Sequence, residues 1–116
     1  MKKILLSDTI GTAKKEDISS IFNTLIPGFS HINFGAHFHT TLKNWYNKVD
    51  AAYSSGCNIF DGVINGFGGC PMAKSNLVGN MPTEKLITYF TKKKLSHNLN
   101  LLHFESALNY SNRILK

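Results

Sequence analysis

Three short apolar runs, each closing on polar residues and alternating with segments of helical spacing, constrain this chain more than any other feature. Lys3 to Ser7 is the first run and ends at Asp8-Thr9-Ile10-Gly11; Ile32 to His39 is the second; Asn58 to Val63 is the third. Each reads as a strand. Between them, Lys14 to Leu25 places Ile18, Ile21, Phe22 and Leu25 on one helical face, with Pro27-Gly28 ending the helix. Thr40 or Thr41 is positioned to cap a second helix running through Ser54, with Leu42, Trp45, Val49, Ala52 and Tyr53 inward and Gly56 at its C-terminal stop. Pro82 opens a third helix with Leu86, Ile87 and Phe90 as its stripe, and Asn98 to Leu115 forms a last one carrying Leu101, Leu102, Phe104, Leu108 and Ile114. The order β-α-β-α-β-loop-α-α predicts an α/β fold with a parallel sheet and right-handed crossovers. In such sheets ligands bind at the carboxyl ends of the strands. Asp8, His37, His39 and the loop from Gly66 to Asn80 all fall at that end.

Composition narrows the class. With 116 residues, 42% hydrophobic and 17% charged, the chain is one small domain or part of a larger one, and it is not of disordered composition. Its formal charge of +6 is scattered. The single cluster, Lys92-Lys93-Lys94, closes a predicted helix, where lysines complement the helix dipole. No nucleic-acid motif accompanies it, so a nucleic-acid partner is not expected; a basic surface can instead steer anionic substrates. Met1 to Leu6 imitates a signal peptide, but the apolar run stops at Ser7-Asp8, too early for one. No stretch has the length of a membrane span, and no membrane partner is expected. Cys57 and Cys70 form no C-x-x-C pair, which is the expectation for reduced thiols in a cytoplasmic protein.

Four features carry chemistry. His37 and His39 are two apart on a strand, so their imidazoles point to the same side and can share one metal ion, while Phe38 points into the helical layer. The alternative is a pair of polar strand-end histidines without metal. His31, His97 and His103 have no partner at useful spacing. Asp8 emerges where a buried strand ends, placed as a base, a substrate ligand or a cap. Gly66-Phe67-Gly68-Gly69-Cys70-Pro71 combines permissive backbone with one thiol, a loop able to hold a reactive side chain or, more plainly, a Gly-rich turn with a buried cysteine. Asn80 can ligate a metal through its amide oxygen or cap the helix at Pro82.

Taken in order, Ser7-Asp8-Thr9-Ile10-Gly11, Ala36-His37-Phe38-His39-Thr40, Phe60-Asp61-Gly62, Gly66 to Lys74 (GFGGCPMAK) and Gly79-Asn80-Met81-Pro82-Thr83-Glu84 resemble the C-terminal part of the 3-hydroxy-3-methylglutaryl-CoA lyase family. The resemblance covers nearly all of the chain. G-C-P-x-A followed by G-N and T-E is specific for that lyase, whereas H-x-H is shared with the wider superfamily of metal-dependent aldolase-like and Claisen-type enzymes.

The resemblance implies a partial (β/α)₈ barrel: residues 1–116 as about the last three βα units plus a C-terminal helix, since whole barrels take roughly 250 residues. It implies His37, His39 and Asn80 as ligands of a magnesium or manganese ion. It implies Asp8 near the substrate, and Cys70 transferring a proton from a mobile loop that includes Gly68 and Gly69. The implied reaction cleaves 3-hydroxy-3-methylglutaryl-CoA, an acyl-CoA substrate, to acetoacetate and acetyl-CoA, in leucine degradation and ketone-body metabolism. Thr40 stands where better-known members carry Asp. The family's Asp metal ligand, catalytic Arg and glutamates come from the early strands, and Arg113, the only arginine here, matches none of them. The chain by itself is therefore expected to be inactive. Two alternatives accompany this reading. One is a related Claisen-type synthase, against which Gly69-Cys70-Pro71 argues. The other is a non-catalytic half-barrel whose open sheet edges associate with a missing N-terminal half or with a second copy.

Overall fold

The computed structural model describes residues 2–8, 11–68, 78–96 and 99–114. Its first strand, β1 (Lys2–Ser7), leads to helix α1 (Lys15–Gly28) and then β2 (Ile32–His37). β1 and β2 pair in parallel from Lys2 opposite Ile32 to Ser7 opposite His37, the crossover that the alternation predicts. α1 runs past the expected stop. Pro27 lies within its last turn, and the helix closes where the Phe29 N–H reaches the Leu25 carbonyl at 3.0 Å. Of the predicted stripe, Ile18 and Phe22 are buried and Leu25 packs against them, but Ile21 is exposed.

The second strand does not run unbroken to His39. At Phe38 the chain changes partners, and β3 (His39–Thr40) pairs antiparallel with β4 (Gly79–Asn80). β1 has ended at Ser7, so the ladder can extend only against a segment from the other side. The Met81 N–H supplies the join by donating to the Phe38 carbonyl at 3.1 Å. The third predicted strand, Asn58 to Val63, is reduced to two isolated parallel contacts, Ala36 with Phe60 and Val63 with Pro82. The first holds through Ala36 N–H to Ile59 O at 2.8 Å and Asp61 N–H to Ala36 O at 2.9 Å. Two hydrogen bonds suffice to bring Asp61 beside the end of β2.

Helix α2 (Trp45–Ser54) starts later than predicted. Thr41 and Asn44 form a turn ahead of it, with the Thr41 N–H donating to Asn44 Oδ1 at 2.7 Å. Leu42 is left 81% exposed in that turn, outside the inward stripe. Val49 and Ala52 are buried, and Trp45 and Tyr53 pack against them. Gly56 ends the helix at φ +102°, a conformation that side chains rarely adopt. A 3₁₀ turn (Ile64–Gly66) precedes β4, and α3 (Thr83–Lys92) follows Pro82, whose carbonyl accepts the Leu86 N–H at 3.2 Å. α3 buries Leu86 and also Tyr89, which was not in the predicted stripe. The last helix, α4 (Leu101–Ile114), buries none of its residues, and Leu102 is 72% exposed.

The core lies between α1, α2 and α3 and the inner face of β2. It holds Phe22, Phe34, Phe38, Val49, Cys57, Met81 and Tyr89. Phe38 therefore points into the helical layer and leaves His37 and His39 on the other side. No helix among the described residues is long and apolar enough to cross a membrane.

Candidate functional site

The polar ends of three sequence-distant segments meet here. Asp8 follows β1, His37 and His39 flank Phe38 at the join of β2 and β3, and Asp61 follows the bridge at Phe60. The imidazoles of His37 and His39 lie with ring centroids 5.4 Å apart, tilted by 66°. Each ring has its Nδ1 against an oxygen. His37 Nδ1 is 3.1 Å from Asp61 Oδ2, and His39 Nδ1 is 3.2 Å from the Asp8 carbonyl. A carbonyl only accepts, so His39 carries its proton on Nδ1 and presents Nε2 as a base or ligand. A carboxylate on Nδ1 sets the same tautomer in His37. An imidazole whose far nitrogen is hydrogen-bonded to oxygen is the common form of a metal-ligating histidine.

Asp8 is fully committed. Its Oδ1 accepts the His39 backbone N–H at 2.8 Å, and its Oδ2 forms an ion pair with Lys48. Its carbonyl also accepts the Gly11 N–H at 2.8 Å, which turns the chain away from β1. Asp8 is therefore not the cap of α1; the Asp17 carboxylate does that, accepting the Lys14 N–H at 3.1 Å. Lys48 comes from α2, is buried, and donates also to the carbonyls of Gly11 at 3.1 Å and His39 at 2.9 Å.

Asn80 stands directly opposite His39 in the β3–β4 pair. Its Nδ2 donates to the Phe67 carbonyl at 2.9 Å, which turns Oδ1 into the amide atom left for a cation. Gly68 holds the loop against it. Its carbonyl accepts the Asn80 N–H at 3.1 Å, and its φ of +82° is a conformation that side chains rarely adopt. An open hollow of about 360 Å³ lies alongside, lined by Thr40, Asn65, Gly66, Gly68 and Asn80 among others. A larger one of about 510 Å³, between Tyr53, Phe60, Leu86 and Phe90, touches none of the predicted site residues. Gly69 and Cys70 lie outside the described residues.

Among the described residues no three His, Cys, Asp or Glu side chains converge as a metal cluster. The donor set is narrower, two imidazole nitrogens and one amide oxygen, and it suits a divalent ion that takes its remaining ligands from oxygen atoms of substrate, water or other segments. Two members of the arrangement escaped sequence reasoning. Lys48 falls on the inward stripe of α2, three residues after Trp45 and four before Ala52, where a lysine is buried only if paired. Asp61 lies inside the third predicted run, Asn58 to Val63, and its one signal was the motif Phe60-Asp61-Gly62.

The other thiol, Cys57, is buried in the core with Sγ 3.3 Å from the Ile59 carbonyl, and burial pushes its pKa up from 9.0 to about 11. It has no part in the site.

The chain thus carries a paired-histidine strand end on an α/β scaffold. It belongs to the HMGL-like family, whose profile matches residues 1–110. Its fold matches that of solved HMG-CoA lyases. It superposes on the Bacillus subtilis HMG-CoA lyase with a TM-score of 0.87 and 27% identity, over 100% of this chain and 39% of that one. It superposes on an Acinetobacter baumannii HMG-CoA lyase, solved with coenzyme A and 3-methylmalate, with a TM-score of 0.70 and 32% identity, over 84% of this chain and 32% of that one. It is also 32% identical over 88 residues to the (R)-citramalyl-CoA lyase of Chloroflexus aurantiacus, covering 76% of this chain and 27% of that protein. The chain thus spans between a quarter and two fifths of the length of these relatives.

Proposed function

We propose that residues 1–116 carry the metal-binding and proton-transfer part of a hydroxymethylglutaryl-CoA lyase site, built on the last three βα units of a (β/α)₈ barrel and a C-terminal helix. The observation that carries this reading is the histidine pair: two imidazoles on one side of a strand end, each with Nδ1 held by oxygen, with Asn80 opposite His39 in the β3–β4 pair. His37, His39 and Asn80 would hold a magnesium or manganese ion, which when bound offsets the negative charge that develops on the substrate's oxygen atoms.

The residues of the chain carry part of the reaction. Retro-Claisen cleavage removes the proton of the tertiary hydroxyl and breaks the adjacent carbon–carbon bond. The electron pair of that bond passes to the carbon next to the thioester carbonyl, giving an enolate that takes up a proton at that carbon to become acetyl-CoA, while the hydroxyl carbon becomes the ketone of acetoacetate. Asp8 holds His39 in place, with both carboxylate oxygens accepting hydrogen bonds from the protein. Cys70, on its glycine-rich loop with Gly68 and Gly69, is the proton carrier at the reacting carbon. An acyl-CoA is the substrate class. The Chloroflexus relative is named for citramalyl-CoA, a second acid of the same 3-hydroxyacyl type, and cleavage of both thioesters belongs in the test.

The test joins the chain to the N-terminal strands of the Bacillus subtilis enzyme and follows acetyl-CoA release with manganese present. The joined protein should turn over, Cys70→Ser should lower kcat by about 10²-fold or more with little change in KM, and His37→Ala or His39→Ala should sharply weaken manganese binding. Absence of cleavage of either thioester, or manganese affinity unchanged in both histidine variants, sinks the reading. The 116-residue chain alone should release no acetyl-CoA, since no carboxylate ligand joins the two imidazoles.

A further inference from the structure

The buried ammonium of Lys48 is the least expected group in the molecule. It sits 2% exposed on the sheet-facing side of α2, at a position where the helical stripe is otherwise apolar. Burying a lysine is costly unless its charge and all of its protons are satisfied. Here they are: an ammonium has three N–H bonds, and Nζ meets three acceptors, Asp8 Oδ2, the Gly11 carbonyl at 3.1 Å and the His39 carbonyl at 2.9 Å. With every donor spent on the protein, Lys48 has none to offer a substrate. Its partners say what it is for.

Those partners enclose one residue. Lys48 takes the His39 carbonyl; Asp8, held by Lys48, takes the His39 N–H; and the Asp8 carbonyl takes the His39 ring at Nδ1. β3 is only two residues long, and two residues of antiparallel ladder do not by themselves fix a strand. We infer that Lys48 is a positioning residue that locks His39, and through the facing pair His39–Asn80 the second proposed ligand, in the geometry needed to bind a divalent ion. It acts from α2 through Asp8. His37, two residues away, depends on Asp61 instead and lies outside this clamp.

The inference rests on the metal reading above, so its test reads the apo chain as well as the loaded one. Lys48→Met removes the charge at similar length, and Asp8→Asn/Lys48→Met avoids leaving a lone buried carboxylate while keeping an oxygen for the His39 N–H. On the 116-residue chain, NMR measures hydrogen exchange of the His39 amide and the proton position on each histidine ring, and manganese titration is followed by the EPR signal of the unbound ion. In whichever variant folds, His39 amide exchange should quicken at least about tenfold and its ring should lose the pure Nδ1–H form, while the His37 ring keeps its own. The manganese Kd should rise about 10–100-fold, the usual effect of removing a group that orients a ligand. A purely structural Lys48 would lower thermal stability and leave these readouts alone. Wild-type exchange and ring form in the folded double variant, or wild-type manganese affinity, overturns the inference. If the unaltered 116-residue chain binds manganese too weakly to titrate, the Kd is read on the chain joined to the N-terminal strands, where no binding sinks the metal reading, and the His39 exchange and ring form decide the clamp by themselves.

Discussion

His37 and His39 are two residues apart, face the same side, and are each held by an aspartate from a different strand end, yet the two arrangements differ in kind. On the His39 side the pair Asp8–Lys48 is enclosed, with side chains 8% and 3% exposed. On the His37 side Asp61 and His37 are 44% and 37% exposed. An aspartate beside a histidine is therefore tied to the core in one case, where Asp8 holds the ring by its carbonyl and the backbone N–H by its carboxylate, and screened by water in the other, where the Asp61 carboxylate holds the ring. The enclosed half couples the site to folding of β1, β3 and α2 together. The open half can be altered, or can move, with little effect on the fold.

The largest test breaks the enclosed half. Asp8→Ala strands the Lys48 ammonium without its counter-ion, and losing one partner of a buried pair costs about 3–5 kcal/mol. Urea unfolding should show that loss directly, and a loss under about 1 kcal/mol would mean that water reaches the pair.

Next is the core beneath β2. The folded pKa of Cys57 lies above its unfolded value, so the protonated thiol contributes stability that is fully present below about pH 9 and is lost as pH rises towards about 11. Two pKa units correspond to about 2–3 kcal/mol. Unfolding free energies at pH 8 and pH 11 should therefore differ more in the wild type than in Cys57→Ala by about that amount. In the native chain below pH 9, Cys57 should resist alkylation.

Smaller still is the open half. Asp61→Asn should cost less than about 1 kcal/mol of stability, as exposed pairs do. If the metal reading holds, it should nonetheless weaken manganese binding about 10–100-fold through the His37 ring. An effect on stability as large as that of Asp8→Ala would erase the contrast between the two halves. The smallest change is at Leu42. Facing solvent in the turn before α2, Leu42→Ser should alter the unfolding free energy by no more than about 0.5 kcal/mol.

Much of the scaffold was legible from periodicity. β1, α1, α3 and α4 fall within a few residues of the positions that apolar spacing predicts, because burial of one face leaves its period in the sequence. The prediction failed where long-range pairing decides. Ile32 to His39 has the pattern of one strand, but its partner changes at Phe38, and a change of partner leaves no mark on spacing. Leu42 and Ile21 fit a helical stripe and are exposed all the same, because α2 begins three residues after Leu42 and because nothing among the described residues covers that side of α1.

The candidate site divides the same way. The amino-acid sequence by itself determined that two histidines share one side of a strand end, that Asp8 stands at the end of another strand, and that a glycine-rich loop leads to Asn80. These follow from alternation along a strand and from the strand-helix order, both local properties of the chain. Tertiary structure alone decided which oxygen meets which ring nitrogen, that Asp61 rather than Asp8 faces His37, and that a lysine from α2 is buried at the centre of the Asp8–His39 contact. A buried charge is permitted only where several acceptors converge. The contacts of Asp8 with His39 and of Lys48 with Asp8 and Gly11 span 31 to 40 residues of sequence, so this convergence is a consequence of packing that no local pattern encodes.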